Sequence, residues 1–424
     1  MKRIYIYAPE VCVKRSLDSK KIFNYLSNNK YEIVYDPDSA DVIIFVTCAV
    51  GDRNTDFSLN MVQKLQKYDA ELIVAGCLPA IEKEELEKIF DGRTISTKDL
   101  DSIGQLFQDK SIEFDTLDDA NILYENDEEE TPIDPIKKLF GGVKSLEWIT
   151  SRYFEIRNYI LKYQLGEQSA LYRWIIKKQF YIRISWGCQG NCSYCGIKKA
   201  VGPLKSKPLD TCITEFKKGL NAGYKHFSLT ADDIGAYGLD DSSSFPELLD
   251  GMTKIPGDYE IAILEIAPRW IVKYIDDLEE ILKRGKITLI NIPFQSGCNR
   301  ILKLMNRYSD TEKMKDAILR LRRSYPDLSL ATQNIVGFPT ETDEEFRQTI
   351  HFIKDVNFNG GYLYQFSCKT GTKAVSIKPK IPKKEIIKRL KYAKKYLRKT
   401  ECSVFYRSIL YSPKFYHCLG FVKR

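Results

Sequence analysis

The sequence predicts an α/β protein built as a doubly wound parallel-sheet N-terminal domain followed by an open (β/α)6 partial barrel. A helical linker insertion stands between them, and a basic C-terminal helix follows. Three observations carry this expectation. Short apolar runs alternate with amphipathic stretches through the first 110 or so positions. The composition then turns acidic and afterwards aromatic between Glu113 and Lys178. Six strand–helix units can be counted between Gln179 and Ala374. The expected division is residues 1–112, a linker and helical segment 113–178, a barrel 179–375, and a helix and tail 376–424.

At 424 residues the chain is long enough for more than one hydrophobic core. It contains no apolar run of about 18 residues and no charged-then-apolar leader, so the sequence predicts an unprocessed cytoplasmic protein with no membrane partner. Eleven cysteines in such a chain argue for metal or redox chemistry rather than a disulfide scaffold. The net charge of +8 is concentrated in one segment. Lys373 to Lys399 holds twelve Lys/Arg against the single acid Glu385, which leaves 53 basic and 56 acidic residues elsewhere.

In the N-terminal domain, strands are expected at Arg3–Tyr7, Val42–Val46 and Leu72–Ala75, with helical stretches at Ser19–Leu26, Leu59–Tyr68 and Ile81–Phe90. Each strand ends near a cysteine: Cys12, Cys48 and Cys77. Loops at the carboxyl ends of parallel strands gather on one edge of the sheet, where such folds place their sites. Three thiols distant in sequence would converge there. Position alone leaves open the alternative of three unrelated buried thiols, since free Cys is commonly buried.

The acidic stretch Asp115–Asp134 reads as a solvated linker. Leu146–Ile176 carries a stripe of aromatics, from Trp148 to Trp174, at helical spacing. Such a stripe marks a helix-packing core more often than a ligand surface.

Barrel strands are expected at Phe180–Ser185, His226–Thr230, Glu260–Glu265, Thr288–Pro293, Ser329–Val336 and Tyr362–Ser367, with helices such as Thr211–Asn221 and Thr311–Tyr325 between them. Function in such barrels lies at the carboxyl ends of the strands. The loop leaving the first strand contains Cys188, Cys192 and Cys195 in "WGCQGNCSYCGIKK". Three thiolates spaced C-x3-C-x2-C can wrap one face of a [4Fe–4S] cubane, in which each iron normally takes one Cys. The fourth iron is then left for a ligand that is not protein, as catalytic metal sites require. A zinc knot would need a fourth Cys or His close by; Cys212 lies in a helical pattern and His226 is the nearest histidine.

The triplet, with Tyr194 before its last Cys, resembles the signature of the radical S-adenosylmethionine (SAM) enzymes. "ADVIIFVTCAV" (40–50) and "IVAGCLPA" (73–80) resemble the N-terminal domain of the methylthiotransferases within that superfamily. Around Cys12 the likeness is weaker: Val11 replaces a Gly and Arg15 an Asn, while Asp18 and Ser19 match. Further along, "LTADDIGAYG" (229–238) is similar to Leu-Thr-Gly-Gln-Asp, with Ala231 and Asp232 departing from it. "PFQSGCNRILKLMNR" (293–307) is similar to Pro-x-Gln-Ser-Gly…Met-x-Arg. "TQNIVGFPTET" (332–342) resembles Thr-Asp-Ile-Ile-Val-Gly-Phe-Pro-Gly-Glu-Thr, with departures at Gln333, Asn334 and Thr340. "FSCKTGTKA" (366–374) resembles Tyr-Ser-x-Arg-x-Gly-Thr-x-Ala.

The resemblance implies that Cys188, Cys192 and Cys195 hold the SAM-binding cluster, and that Cys12, Cys48 and Cys77 hold an auxiliary [4Fe–4S] cluster. It implies SAM contacts from Thr230, Gln295 and Ser296, with Gly337 letting the ligand approach closely. Cys298 stands beside this loop and reads as a small structural side chain, as do Cys212, Cys368, Cys402 and Cys418. An external electron donor such as a flavodoxin or ferredoxin is implied as well.

The implied activity is insertion of a methylthio group at an unactivated C–H carbon. The family's RNA-binding TRAM barrel has no counterpart in the segment after the basic helix, and the sequence therefore favours a peptide or protein substrate over tRNA. Two other readings compete. One is a different two-cluster radical SAM peptide maturase; the other is a nucleic-acid-binding protein with structural clusters.

Overall fold

The computed structural model describes residues 2–9, 11–107, 111–123, 170, 173–174, 177–398, 402–406 and 418–423, the last two segments as backbone. The expected helix at 146–176 and most of the acidic linker lie outside the described residues.

Five parallel strands form the first sheet: β1 (Arg3–Tyr7), β2 (Glu32–Val34), β3 (Val42–Thr47), β4 (Glu71–Gly76) and β5 (Arg93–Ser96), in the order β2-β1-β3-β4-β5. All six residues of β3 are buried, as expected of a central parallel strand covered on both faces. Its side chains alternate between two cores. Ile43 and Phe45 pack with Val62, Val74 and Leu78, while Val42, Ile44 and Val46 pack with Ile22, Tyr25 and Ile73 on the other face.

The connecting helices are α1 (Val13–Asn28), α2 (Asp52–Leu65), α3 (Leu78–Ile81) and α4 (Lys83–Glu87). The expected single helix at 81–90 is instead two short pieces, broken where Glu82 adopts φ −125°, ψ 47°. α1 starts six residues earlier than its apolar pattern suggested, immediately after Cys12.

The second sheet contains six parallel strands: β6 (Phe180–Arg183), β9 (His226–Thr230), β10 (Glu260–Ile263), β11 (Ile287–Asn291), β12 (Ser329–Val336) and β13 (Gly360–Gln365). Between β6 and β9 lies the small antiparallel pair β7 (Ser185–Trp186) and β8 (Lys205–Ser206). The principal barrel helices are α5 (Ile197–Val201), α6 (Leu209–Asn221), α7 (Phe245–Thr253), α8 (Pro268–Lys273), α9 (Ile275–Leu282), α10 (Asn299–Leu304), α11 (Thr311–Ser324) and α12 (Asp343–Val356).

Strand order runs β6-β9-β10-β11-β12-β13 and never returns to β6, so the barrel is open. Two further strands, β14 (Cys402–Tyr406) and β15 (Cys418–Lys423), extend it antiparallel from β13. The sequence alone assigns no strands to this tail. The basic helix itself, α13 (Lys383–Arg398), buries Ile386, Leu390, Ala393 and Leu397. It is clamped by Arg389, whose guanidinium reaches Glu341 and Asp343 at 2.9 Å each. No helix among the described residues is long and apolar enough to cross a membrane.

The two sheets are joined through the cysteine loop of the barrel. Ala200 and Val201 of α5 belong to the hydrophobic core of the first sheet, with Cys188 and Ile197 packed against it. The loop that the barrel emits is thus wedged against the N-terminal domain.

Candidate metal centres and the space between them

The barrel triad is fixed from both ends. β7–β8 pairing ties the entry of the loop to its exit, and Cys188 N–H donates to the Gly202 carbonyl at 3.3 Å. In the middle, Ser193 is held to the end of α10 by its N–H to the Met305 carbonyl (2.9 Å) and its hydroxyl to the Leu304 carbonyl (2.6 Å). Gly190 N–H points at Cys188 Sγ, 3.1 Å away. A Cβ on Gly190 would stand 3.1 Å from Cys188 Sγ and 3.8 Å from Cys192 Sγ, so the glycine keeps open the space between two sulfurs.

Arg307, inside the Met-x-Arg stretch, lies beside Cys192. Its Nη1 is 3.7 Å from Cys192 Sγ and its Nη2 donates to the Pro293 carbonyl at 2.7 Å. Burial opposes its charge, but Tyr194 and Cys192 outweigh that and raise its pKa. A buried cation therefore faces a place where thiolate charge would accumulate.

The N-terminal triad is assembled from three strand ends. Cys12 caps α1, Cys48 follows β3 directly and Cys77 follows β4 directly. Gly76, at φ +100°, permits the close approach that seats Cys77: a Cβ there would fall 2.5 Å from the Thr47 carbonyl oxygen. Cys77 Sγ lies 3.8 Å from Thr97 Oγ1. Cys48 and Cys77 are buried while Cys12 is exposed, and the charges of the three thiols act on one another.

Both triads suit iron. All nine cysteines with described side chains are free thiols. Burial pushes Cys48 and Cys188 up to about 12 and Cys195 up to about 11, and raises Cys77 as well. Buried thiols of this kind are neutral until a metal displaces their protons. Among the described residues no three Cys, His, Asp or Glu side chains stand close enough to share one ion. A [4Fe–4S] cubane takes one thiolate at each iron, so three cysteines can hold it with one iron left open.

The two triads approach each other across a band of charged side chains. Lys14 Nζ on α1 meets Glu265 Oε2 beyond β10 at 2.7 Å, and Gln333 Nε2 reaches the other oxygen of Glu265 at 3.4 Å. Arg183 at the end of β6 donates to Asp18 at 2.6 Å and to the Lys14 carbonyl. Asp232 accepts from Gly187 N–H, next to Cys188, at 3.2 Å, and its charge acts on Lys14, Arg15 and Cys77 across the gap. Beside it, buried Asp233 accepts from Arg269 and from Trp270 Nε1 (2.7 Å) and lies 3.7 Å from Cys188 Sγ.

Of the four residues expected to touch SAM, Gln295 alone keeps substantial side-chain surface. It stands at φ +73° and is stitched to β12 through Ile335 N–H at 3.0 Å. Thr230 ends β9 but is 2 % exposed. Ser296 is fully buried, and its hydroxyl is engaged with Thr349 Oγ1 (3.4 Å) and Cys298 N–H (3.2 Å). The space that a Cβ on Gly337 would fill is occupied by Ile386 of α13, 2.4 Å from the ideal Cβ position, so the close approach this glycine permits here is that of a helix.

Other residues carry the polar character of the barrel interior. Asn334 is fully buried with neither amide atom hydrogen-bonded, and Asn291 Oδ1 and Ser185 Oγ are likewise unpartnered. Buried polar atoms without partners are what a bound ligand or water would satisfy, which fits a SAM pocket at these strand ends. Asn334 was signalled in sequence only as a departure from a motif. Asp232 was likewise signalled only as a departure, while Asp233, Arg183 and Arg307 were within quoted motifs or strands without being singled out.

Comparison with known proteins defines the class. A model of the radical SAM superfamily matches residues 182–353, and a model of uncharacterized protein family UPF0004 matches residues 11–96. The chain is an enzyme of the radical SAM class. It is 30 % identical over 392 residues to the ribosomal protein uS12 methylthiotransferase RimO of Chlamydia felis, covering 90 % of this chain and 75 % of that protein. It is 27 % identical to a probable threonylcarbamoyladenosine tRNA methylthiotransferase of Pyrococcus abyssi, covering 87 % and 77 %. The fold resembles the radical SAM methyltransferase TsrM of Kitasatospora setae, solved with cobalamin and a [4Fe–4S] cluster, at TM-score 0.57 and 11 % identity over 88 % of this chain and 77 % of that one. The chain belongs to the radical SAM methylthiotransferase family. Its cofactors are SAM and two [4Fe–4S] clusters.

Proposed function

We propose that this enzyme inserts a methylthio group at an unactivated C–H carbon of a peptide or protein side chain in the cytoplasm. Cys188, Cys192 and Cys195 would hold the SAM-binding cluster, and Cys12, Cys48 and Cys77 the auxiliary one. The observation that carries this reading is the approach of the two triads across Asp232, Lys14 and Glu265. Radical generation and sulfur delivery need neighbouring but separate centres.

When bound, SAM at the barrel cluster supplies a hydrogen-abstracting radical and the auxiliary cluster supplies the sulfur. The chain's own residues do the rest. Arg307 offsets thiolate charge beside Cys192. α5, docked in the core of the first sheet, closes one side of the cysteine loop to water. Gln295, with Asn291 and Asn334 unpartnered nearby in sequence and sheet, supplies polar groups for SAM. An external flavodoxin or ferredoxin would deliver the electron.

A protein substrate is supported by the RimO relatives, among them the one at 30 % identity. The exposed lysines of α13 would suit acidic residues on such a partner. The Pyrococcus relative favours the same chemistry on a tRNA adenosine. Mass spectrometry of peptides and digested tRNA from cells with and without the active enzyme separates the two. A methylthiolated peptide lost on inactivation supports the proposal; methylthio-adenosine lost instead overturns the substrate and leaves the chemistry standing.

A further inference from the structure

Two departures from the family's motifs carry opposite charge, one on each side of the space between the triads. Arg15 occupies a position where the family resemblance expects Asn, and Asp232 one where it expects Gln. A neutral pair of amides is thereby replaced by a cation on the N-terminal domain and an anion on the barrel. In the structure the two charges act on each other, and Arg15 also acts on Cys77 and Cys12.

Arg15 is 1 % exposed. Its Nε lies 3.0 Å from Asp18 Oδ2, off the hydrogen-bond direction, and Nε and Nη1 have no hydrogen-bond partner among the described residues. Asp18 is shared, because Arg183 Nη1 donates to its other oxygen at 2.6 Å. One carboxylate thus serves two guanidiniums, and two of the three nitrogens of Arg15 are left without a hydrogen bond among the described residues. Leaving a buried guanidinium this poorly paired costs stability, so something else must compensate it. Asp232 is displaced toward the other triad, where it accepts from Gly187 N–H next to Cys188.

We propose that Arg15 is a positioning residue that sets the reduction potential of the auxiliary cluster, with Asp232 opposing it. The proposal rests on the assignment of Cys12, Cys48 and Cys77 to that cluster. Cluster potentials follow net charge, hydrogen bonds to sulfur and burial. Reduction adds one electron to a buried group already made negative by its thiolates. A buried cation alongside stabilises the reduced form and raises the potential; a nearby anion lowers it. The Arg15–Asp232 arrangement places the positive end at the N-terminal triad and the negative end at Cys188, so it drives the two potentials apart.

The test uses the full chain with Cys188, Cys192 and Cys195 changed to Ala, reconstituted with iron and sulfide so that only the auxiliary cluster remains. If that protein takes up no cluster, the ligand assignment fails. If it holds one, its midpoint is read by redox titration with EPR detection. Arg15→Gln should lower the midpoint, with at least a tenfold fall in the reduced-to-oxidised ratio at fixed potential, about 59 mV for one electron. Arg15→Lys should retain most of the potential. Asp232→Asn should raise it, and Arg15→Asn with Asp232→Gln should bring it back toward the starting value. Midpoints unchanged within twofold in Arg15→Gln, with the cluster intact, overturn the proposal. Should Arg15→Gln fail to hold a cluster, Asp232→Asn decides alone: an upward shift supports the role and no shift removes it.

Discussion

The two cysteine triads reach similar chemistry by opposite routes. The barrel triad is local: eight consecutive positions, one loop, pinned by β7–β8 and by Ser193 against α10. The N-terminal triad is distributed over 66 positions and exists only because β1, β3 and β4 lie side by side with parallel register. A local site can be recognised from spacing. A distributed one must be inferred from topology, since nothing in the distance between Cys12 and Cys77 along the chain implies contact. The cations differ too. Arg307 at the barrel triad has a carbonyl partner and a sulfur, whereas Arg15 at the other is left half unpaired.

The largest effect expected of this contrast is complete separation of the two half-reactions. Changing Cys188, Cys192 and Cys195 to Ala should abolish SAM cleavage and leave about four of about eight irons, the content of one cubane out of two. Iron analysis and 5′-deoxyadenosine assay check this. Persistent cleavage would move the radical centre elsewhere.

Changing Cys12, Cys48 and Cys77 to Ala should also halve the iron, yet leave deoxyadenosine formation in place while methylthiolated product disappears. Undiminished product from that variant would mean the N-terminal triad is three structural thiols after all. Because Cys48 and Cys77 are buried against the sheet, a parallel variant should change each cysteine to Ser, which replaces the sulfur by a near-isosteric oxygen and limits the packing loss.

How much of this was legible beforehand follows the same local–distributed division. His226–Thr230 and Ser329–Val336 were read from sequence with the bounds the structure gives, because both are short apolar strands ended by turn chemistry. β2 and β5 were missed; each is three or four residues long, lies at a sheet edge and buries at most one residue fully. The strands β14 and β15 flank a Ser412-Pro413 turn signal that was not used, and their place in the sheet rests on pairing with β13. Site residues fared likewise. Cysteine spacing revealed the triads, but nothing in "GFPT" shows that Gly337 faces Ile386 fifty residues on. Nor does "QSG" reveal that Ser296 turns inward to Thr349. A motif fixes which backbone turn forms, while the side facing the ligand depends on what packs behind it.

That backing can be probed through acid. Glu345 caps α12 in a capping box with Thr342 and clamps Arg300 at 2.5 Å beside Cys298. The Arg300 hydrogen bonds, working against burial, hold its carboxyl down at about 2. A depressed carboxylate contributes stability that is present above its unfolded value of 4.5 and lost as pH falls toward 2. Since Arg300 is half exposed, solvent screening limits the contribution to on the order of 1–2 kcal/mol. Glu345→Gln should lower the melting temperature at pH 7 and flatten the acid limb between those values. An unchanged acid limb would show that the clamp is not formed in solution. Both clusters should remain, which distinguishes a brace behind the barrel site from a residue of either triad.

The smallest effect is expected at Ser296, and it separates the two explanations of the Pro-x-Gln-Ser-Gly stretch. If Ser296 touches SAM, Ser296→Ala should weaken SAM binding and leave stability alone. With its hydroxyl spent on Thr349 and the Cys298 N–H inside a fully buried loop, the opposite is expected. The variant should lose about 1 kcal/mol of stability, the net worth of a buried hydrogen bond with one partner left unsatisfied. Its affinity for SAM, measured by isothermal titration with the reconstituted protein, should stay within about twofold, less than 0.5 kcal/mol. Gln295→Ala should show the reverse pattern, because its side chain retains surface and its amide makes only a long 3.5 Å contact to the Pro293 carbonyl. Matching losses of affinity in both variants would return Ser296 to the ligand and place the loop's rigidity in Thr349 and Glu345 instead.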